Sequence, residues 1–211
     1  MPPTTFLLSP ANVSGIRAKQ LMSPRAQFEA AQLYRSEEGV PIAIAFAFMS
    51  ALYFRGKIAY ALHFAKPSPT LADYGIHVIA PGFGLVPPDW RITEERMKVL
   101  KKTPVDIAKR TYRKPLERDA LAMAERLEAD ARVVLLGSVA TGKYVDILLP
   151  IFGSRLHFPT SFAGLGDMSR GGLMLRAVRA NQELDYVPLI DAVRHRAPGA
   201  SGKMPPLPPG R

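Results

Sequence analysis

Cysteine is absent from the 211-residue chain, so neither a disulfide nor a thiolate metal site can form. The four histidines are scattered along the sequence, and none of them has the close spacing of a zinc-binding pair. We therefore expect no structural metal and no resident cofactor.

Long apolar runs are missing as well. No stretch without a charged residue is longer than residues 39–54, which is shorter than the roughly 20 residues that a membrane span requires. The first residues, MPPTTFLLSP, have no basic segment ahead of a long apolar one, as a signal peptide would. The sequence therefore predicts no membrane span and a cytoplasmic location.

Sequence signatures of nucleophilic catalysis are also missing, because there is no Gly-x-Ser-x-Gly elbow and no histidine with a carboxylate partner nearby.

Positive charge is in excess, with a net charge of +10. Residues 91–118 hold ten Lys/Arg against four Asp/Glu, and residues 194–211 hold four basic residues and no acidic one. Such segments attract polyanions such as nucleic acid, although many basic proteins simply carry a solvated basic face.

Strand and helix patterns alternate along the chain. The apolar runs TFLLS, IHVIA and RVVLLG predict buried strands, and stretches such as ITEERMKVLKK predict the helices between them. This alternation predicts a single α/β domain over residues 1–196, with three layers: a mainly parallel central sheet and helices on both faces. Residues 197–211 are rich in Pro and Gly and are predicted to form a flexible tail.

Turn-forming residues set the expected boundaries. Residues 42–64 predict a helix that is broken or kinked near Gly56, and PGFGLVPPDW predicts an irregular loop. One helix is expected to begin near Pro115 and another directly after RVVLLG. The basic residues of YFRGKIAY are interpreted as the solvated end of a buried helix rather than as an anion site.

Four loops would follow parallel strands and meet at one edge of the sheet, where ligands bind in such folds. They are SPANVSGIR, PGFGLVPPD, GSVATGKY and FAGLGDMSRGG. We expect them to form one cleft whose ligand-binding or phosphate-binding residues are Ser9, Asn12, Arg17, Gly82, Gly84, Gly137, Ser138, Thr141, Lys143, Tyr144, Ser169 and Arg170.

GSVATGKY differs by one letter from a phosphate-binding P-loop, which needs Ser or Thr where this chain has Tyr144. The apolar Val139 and Ala140 suggest that the helix has already begun, which leaves no wide loop for a triphosphate. Three interpretations stay open: a P-loop that uses residues 137–143, a helix start capped by Ser138, and a helix start that binds one anionic or ribosyl group.

FAGLGDMSRGG surrounds a carboxylate, a hydroxyl and a guanidinium with four glycines, so the backbone can approach a ligand closely. Asp167 is the carboxylate that we expect to act as a general base or to position water, and Asp89 is the second candidate. The alternative is a surface loop in which Asp167 caps the next helix and pairs with Arg170.

Three segments, taken in their order along the chain, resemble a group of bacterial proteins distantly related to the YaaA peroxide-stress family. They are IHVIAPGFGLVPPD, VVLLGSVATGKYVDILLPIF and FAGLGDMSRGG. The matching positions are Gly84, Leu85 and Asp89 after one strand, and Gly137, Lys143 and Tyr144 after another. The resemblance implies an α/β fold linked to nucleic acid or nucleobase chemistry. A looser likeness is to uracil-DNA glycosylases, whose His-Pro-Ser loop would be HFPTSF here, with Phe158 between His157 and Pro159.

These patterns predict a protein that either binds or hydrolyses a nucleotide-like small molecule or nucleic acid, with a nucleobase-type or nucleoside-type ligand in the cleft. A P-loop-like phosphotransferase and a non-catalytic nucleic-acid-binding protein are the alternatives.

Overall fold

A six-stranded sheet forms the centre of the protein, and the computed structural model describes residues 2–71 and 75–190. The predicted tail and the basic segment 194–211 lie outside these described residues. The strands are β1 (Thr4–Leu8), β2 (Val40–Pro41), β3 (Ile76–Ala80), β4 (Gly84–Val86), β5 (Arg91–Ile92), β6 (Arg132–Leu136), β7 (Leu156–Pro159) and β8 (Tyr186–Pro188). The α-helices are α1 (Ile16–Leu21), α2 (Glu29–Arg35), α3 (Ile42–Met49), α4 (Leu52–Phe64), α5 (Glu94–Lys102), α6 (Arg110–Arg126), α7 (Gly142–Phe152) and α8 (Asp167–Ala180).

The strand order in the sheet is β4-β3-β1-β6-β7-β8. The four inner strands are parallel, and β4 and β8 pair antiparallel at the two edges. A separate antiparallel pair joins β2 to β5. The predicted α/β class with a mainly parallel sheet is therefore confirmed.

Each inner strand is buried on both faces, which explains why the strands are continuous apolar runs rather than alternating ones. Phe6 and Leu8 of β1 point into a core formed with α1 to α5 and α8, whereas Leu7 points into a second core formed with α6 and α7. In β6, Val134 belongs to the first core and Leu135 to the second. Helices therefore cover both faces of the sheet, as predicted.

The strand order reverses direction between β1 and β6. From β1 the chain proceeds to β3 on one side, whereas β6 and β7 lie on the other side. Loops that leave two such strands diverge and open a crevice at the carboxyl edge of the sheet, the usual ligand site of open α/β folds. The loop after β1 and the loop after β6 meet at this crevice.

Several helix boundaries differ from the sequence predictions. The chain breaks between α3 and α4 at Ser50 and Ala51, not near Gly56, and Ala51 adopts a φ of 46° and a ψ of −120°. Gly56 lies inside α4, where a side chain would collide with α8. Helix α6 begins at Arg110, well before Pro115, because the buried Tyr112 anchors its first turn by donating its hydroxyl to the Lys143 carbonyl at 2.9 Å.

The expected irregular loop after β3 contains the edge strand β4. Gly82 and Gly84 have φ values of 89° and 102°, a backbone conformation that lets the chain reverse and pair with β3. The glycine-rich segment after β7 is also more regular than expected, because α8 begins at Asp167. The predicted polar loop residues Ser169 and Arg170 therefore lie in the first turn of a helix.

Candidate functional site

Ser9 stands at the centre of the crevice, directly after β1. It is 4% exposed, and its backbone N–H donates to the Leu136 carbonyl of β6 at 3.2 Å. Gly137 follows β6 and lies against it: a Cβ added at Gly137 would be 3.0 Å from the Ser9 Cβ and 3.2 Å from the Ser9 Oγ. A glycine at this position leaves room for the Ser9 hydroxyl beside the β6–α7 loop.

Lys57 of α4 is buried against Ser9 and is 1% exposed. Its Nζ lies 2.9 Å from the Ser9 carbonyl oxygen and 2.7 Å from the Ser9 Oγ. The same Nζ sits over the ring of Tyr53, one helical turn earlier, at 3.9 Å from the ring centroid. The interpretation of this helix end as solvated is therefore wrong for Lys57, although Arg55 is exposed.

Burial lowers the pKa of Lys57 from 10.5 to about 7. Asp167 raises this pKa and Arg170 lowers it, so the two charges at the start of α8 act in opposite directions. At neutral pH a large share of Lys57 is therefore an uncharged amine. Such an amine has a lone pair that can accept the hydroxyl proton of Ser9, while its own N–H groups donate to the Ser9 carbonyl.

Two buried tyrosines border the pair, Tyr144 at Ser9 and Tyr53 at Lys57. Burial, assisted by the neighbouring Tyr53, raises the pKa of Tyr144 to about 12, and a hydrogen bond with Ser9 only partly offsets this. Burial also raises the pKa of Tyr53, against the lowering effect of the Arg170 guanidinium. Both phenols therefore stay protonated near neutral pH, and the buried Tyr53 hydroxyl has no hydrogen-bond partner within the described chain.

A close contact between α4 and α8 brings Arg170 to this cluster. A Cβ at Gly56 would lie 2.7 Å from the Gly171 carbonyl oxygen, and a Cβ at Gly171 would lie 2.6 Å from the Leu52 carbonyl oxygen. The two glycines thus allow backbone-to-backbone packing next to Tyr53. The Arg170 side chain is only 11% exposed, and its Nε donates to the Phe162 carbonyl at 3.2 Å.

A cavity of about 280 Å³ opens beside this cluster, between the loops that precede α7 and α8. Its walls are residues 138–140, residues 162–166 and Arg170. Each loop leads into a helix whose cap residue, Thr141 or Gly166, makes no side-chain hydrogen bond to the helix start within the described chain. First-turn N–H groups of a helix lack intrahelical partners and attract negative charge. The cavity wall therefore combines the Arg170 guanidinium with Gly166, the residue directly ahead of α8, whereas the Asp146 carboxylate lies against Gly142 at the start of α7.

The segment GSVATGKY was expected to be helical from Val139 onward, with Ser138 as one possible cap, and the structure differs on both points. Helix α7 begins at Gly142, so residues 137–141 form a loop after β6, and the cap position is Thr141 rather than Ser138. Ser138 instead lines the cavity. Tyr144 is buried beside Ser9, whereas the side chain of Lys143 is exposed.

The predicted catalytic carboxylates occupy different surroundings. Asp167 is the first residue of α8, is 68% exposed and lies 3.7 Å from the Arg170 guanidinium. Its charge reaches Lys57, Tyr53 and Tyr144. Asp89 is exposed in the β4–β5 connection, where no contact within the described chain joins it to the cavity.

Other predicted site residues have structural contacts elsewhere. The Asn12 side chain accepts from the Ser14 N–H at 2.9 Å, and Arg17 donates to the Phe48 carbonyl at 3.2 Å. Gly82 packs against Thr103 and the end of α5. Gly84 faces the Asp119 carboxylate, which accepts the Leu85 N–H at 2.9 Å. Ser169 is exposed on the first turn of α8.

None of the helices within the described ranges is both long and apolar enough to cross a membrane. Likewise, no group of three or more His, Asp or Glu side chains in the described part of the chain is placed to hold a metal ion.

Comparisons with protein-family models, curated proteins and solved structures found no match to this chain. The function must therefore be argued from the α/β fold and from the crevice between β1 and β6.

Proposed function

We propose that the protein binds a nucleotide-like small molecule in the cavity ahead of α7 and α8 and hydrolyses it there. The observation that carries this proposal is the position of the cavity: it adjoins the reversal point of the sheet, and Arg170 forms part of its wall. The resemblance of the loop motifs to the YaaA family suggests the same class of ligand.

An anionic group on the ligand is supported by the charges around the cavity. Arg170 is largely shielded from water, and its guanidinium can meet a phosphate or carboxylate through two parallel N–H donors. Helix α8 begins directly after Gly166 of the cavity wall, and its N-terminus adds partial positive charge. Asp167, which pairs with Arg170 from an exposed position, is the predicted group for positioning water.

The size and lining of the cavity favour a nucleoside or nucleoside monophosphate over a larger cofactor. A volume of about 280 Å³ lies at the lower end of the range for small-molecule sites, which begins at roughly 300 Å³. Val139, Ala140, Phe162 and Leu165 give an apolar wall against which a base can pack. A dinucleotide would extend beyond these walls.

Thermal unfolding in the presence of adenosine, AMP and ATP, each with and without magnesium, tests this proposal. We expect AMP to raise the Tm without magnesium, and we expect Arg170→Gln to abolish the rise. Arg179→Gln is the matched control, because Arg179 is exposed in the last turn of the same helix. Product analysis on any stabilising ligand then tests hydrolysis.

The P-loop phosphotransferase gives a different outcome in the same assay. Magnesium-dependent stabilisation by ATP, with ATP turnover that is abolished in Lys143→Ala, would contradict the proposal and support that alternative. The burial of Tyr144 beside Ser9 argues against it, because the P-loop hydroxyl that binds magnesium is missing.

Nucleic-acid binding is the second candidate, and one observation favours it. Five basic side chains of the segment 91–118 are exposed and take part in no ion pair within the described chain. Other basic residues of the segment are paired with carboxylates: Arg113 and Lys114 contact Glu117, and Arg118 contacts Asp119. The five exposed residues without an ion pair are Lys98, Lys101, Lys102, Lys109 and Arg110.

A further inference from the structure

Ser9 and Lys57 form a pair that no sequence motif predicts. They are 48 positions apart in the chain, yet the Lys57 Nζ lies 2.7 Å from the Ser9 Oγ, a distance at which a proton can pass between the two atoms. A serine becomes a nucleophile when an adjacent base accepts its proton. The second contact of the Nζ, to the Ser9 carbonyl at 2.9 Å, fixes the orientation of the amine.

We propose that Ser9 is a nucleophile and Lys57 its general base, and that together they cleave a carboxylic ester through an acyl-serine intermediate. This activity uses the same crevice as the proposed function but does not depend on the identity of the ligand in the cavity. Either proposal can therefore fail alone.

The environment of the pair suits an acyl group. Both residues are almost completely shielded from water, and the groups that touch the Ser9 hydroxyl are an amine and the Tyr144 phenol. Burying a charged phosphoryl group beside two neutral partners is unfavourable, whereas a neutral planar carbonyl can approach them. An ester carbonyl is therefore the better fit.

The reaction balances with water as the only co-reactant. Neutral Lys57 takes the Oγ proton as Oγ bonds to the carbonyl carbon, and the carbonyl π electrons move to oxygen. Tyr144 can donate a hydrogen bond to this oxyanion. The tetrahedral intermediate collapses, the ester C–O bond breaks, and the leaving alkoxide takes the proton from Lys57. Lys57 then deprotonates a water molecule that attacks the acyl-serine, and Ser9 recovers its proton as the carboxylic acid leaves.

The β6–α7 loop connects the pair to the cavity. The Ser9 Oγ lies beside Gly137, where an added Cβ would come within 3.2 Å of it. The next residue, Ser138, lines the cavity, whereas Ser9 and Lys57 are not among the residues of its wall. The proposed acyl transfer therefore requires the substrate to reach Oγ along this loop.

The charged and titratable groups that face Lys57 define the pH behaviour of the pair. They are Tyr53 on its own helix, Asp167 and Arg170 on α8, and Tyr144 on α7, which reaches it through Ser9. Because burial lowers the pKa of Lys57 to about 7, acylation should increase with pH and level off above about pH 7 to 8.

The test is acetylation of the full chain by p-nitrophenyl acetate, followed by peptide mapping of the acetyl group and by the pH profile of the burst rate constant, read at the wavelength where nitrophenol and nitrophenolate absorb equally. We expect acetylation on Ser9, its absence in Ser9→Ala, and a decrease of at least roughly 100-fold in Lys57→Met. Ser154→Ala is the matched control, because Ser154 is exposed at the far end of α7. Ser9→Cys keeps a nucleophile at this position and should accept the acetyl group if Ser9→Ala does not fold.

Wild-type protein that carries no acetyl group on Ser9 would overturn the inference, as would undiminished acetylation of Ser9 in folded Lys57→Met. A burst without an inflection near pH 7 in wild-type protein would also overturn it, even if neither variant folds. A protein that binds AMP but is not acetylated at Ser9 keeps the proposed function and loses this inference. Acetylation at Ser9 without nucleotide binding supports the inference and rejects the proposed ligand.

Discussion

Replacing Lys57 by Met tests whether this lysine is an uncharged amine in the folded protein. Methionine fills a similar volume, so the variant removes the ionisable group and its two hydrogen bonds with Ser9 while keeping most of the packing. Removing these hydrogen bonds changes the free energy of unfolding by an amount that does not depend on pH. Removing the ionisable group changes the free energy of unfolding by a further amount that does depend on pH.

The sign and size of that contribution follow from the pKa of Lys57, which burial lowers from 10.5 in an exposed lysine to about 7 in the folded protein. Between these values the unfolded chain binds the proton and the folded protein does not, so the free energy of unfolding rises with pH. The slope is about 1.4 kcal/mol per pH unit, which is roughly 2.7 kcal/mol from about pH 7.5 to about pH 9.5. Below about pH 7 the folded protein also binds the proton, and this slope disappears.

Urea unfolding of both proteins at several pH values measures the effect. The difference in unfolding free energy, wild type minus Lys57→Met, should rise across that window, and taking the difference removes the contributions of the other titrating groups. A flat difference would show that Lys57 keeps an ordinary pKa. The lysine would then be a permanent ammonium ion and could not act as a base.

The remaining predictions concern the backbone and the basic surface. Ala51→Gly should raise the free energy of unfolding by up to about 1 kcal/mol in urea unfolding, because glycine adopts a φ of 46° without strain; a decrease in stability would contradict this. Gly171→Ala should lower it by about 1 to 3 kcal/mol, because the new Cβ would lie 2.6 Å from the Leu52 carbonyl oxygen; an unchanged Tm would contradict this. Replacing four exposed basic residues by alanine should weaken oligonucleotide binding and flatten its salt dependence by up to about 0.9 log units for each phosphate that is no longer bound, whereas an unchanged slope would show a merely solvated surface. Those four residues are Lys101, Lys102, Lys109 and Arg110.

The central strands could be predicted from the sequence because each is buried on both faces. TFLLS and RVVLL are continuous apolar runs, and they form the adjacent strands β1 and β6. One of the two edge strands gave no such signal. Strand β4 has only three residues and lies among glycines and prolines, so its pairing depends on β3 rather than on its own composition.

Helix boundaries were less predictable because tertiary contacts decide them. Gly56 suggested a helix break, yet it lies inside α4 because Gly171 of α8 packs directly against its backbone. The actual break at Ala51 occurs at a residue with no turn-forming signature. Pro115 suggested a helix start, but the burial of Tyr112 extends the helix one turn earlier.

The candidate site was partly accessible from the sequence. Ser9, Gly137 and Arg170 could be chosen because they follow strands that are parallel and adjacent. Lys57 could not, because its place beside Ser9 depends on how α4 packs on β1, and a basic residue in an apolar helix usually reaches solvent. The only signal was its position between Tyr53 and Tyr60 in a helix whose side chains are mainly apolar.

Diffraction from crystals soaked with AMP tests the central claim most directly. We predict density for the nucleotide in the cavity between residues 138–140 and residues 162–166, with its phosphate within hydrogen-bonding distance of the Arg170 guanidinium. Density for the nucleotide on the basic surface of α5 and α6, with the cavity empty, would contradict the account.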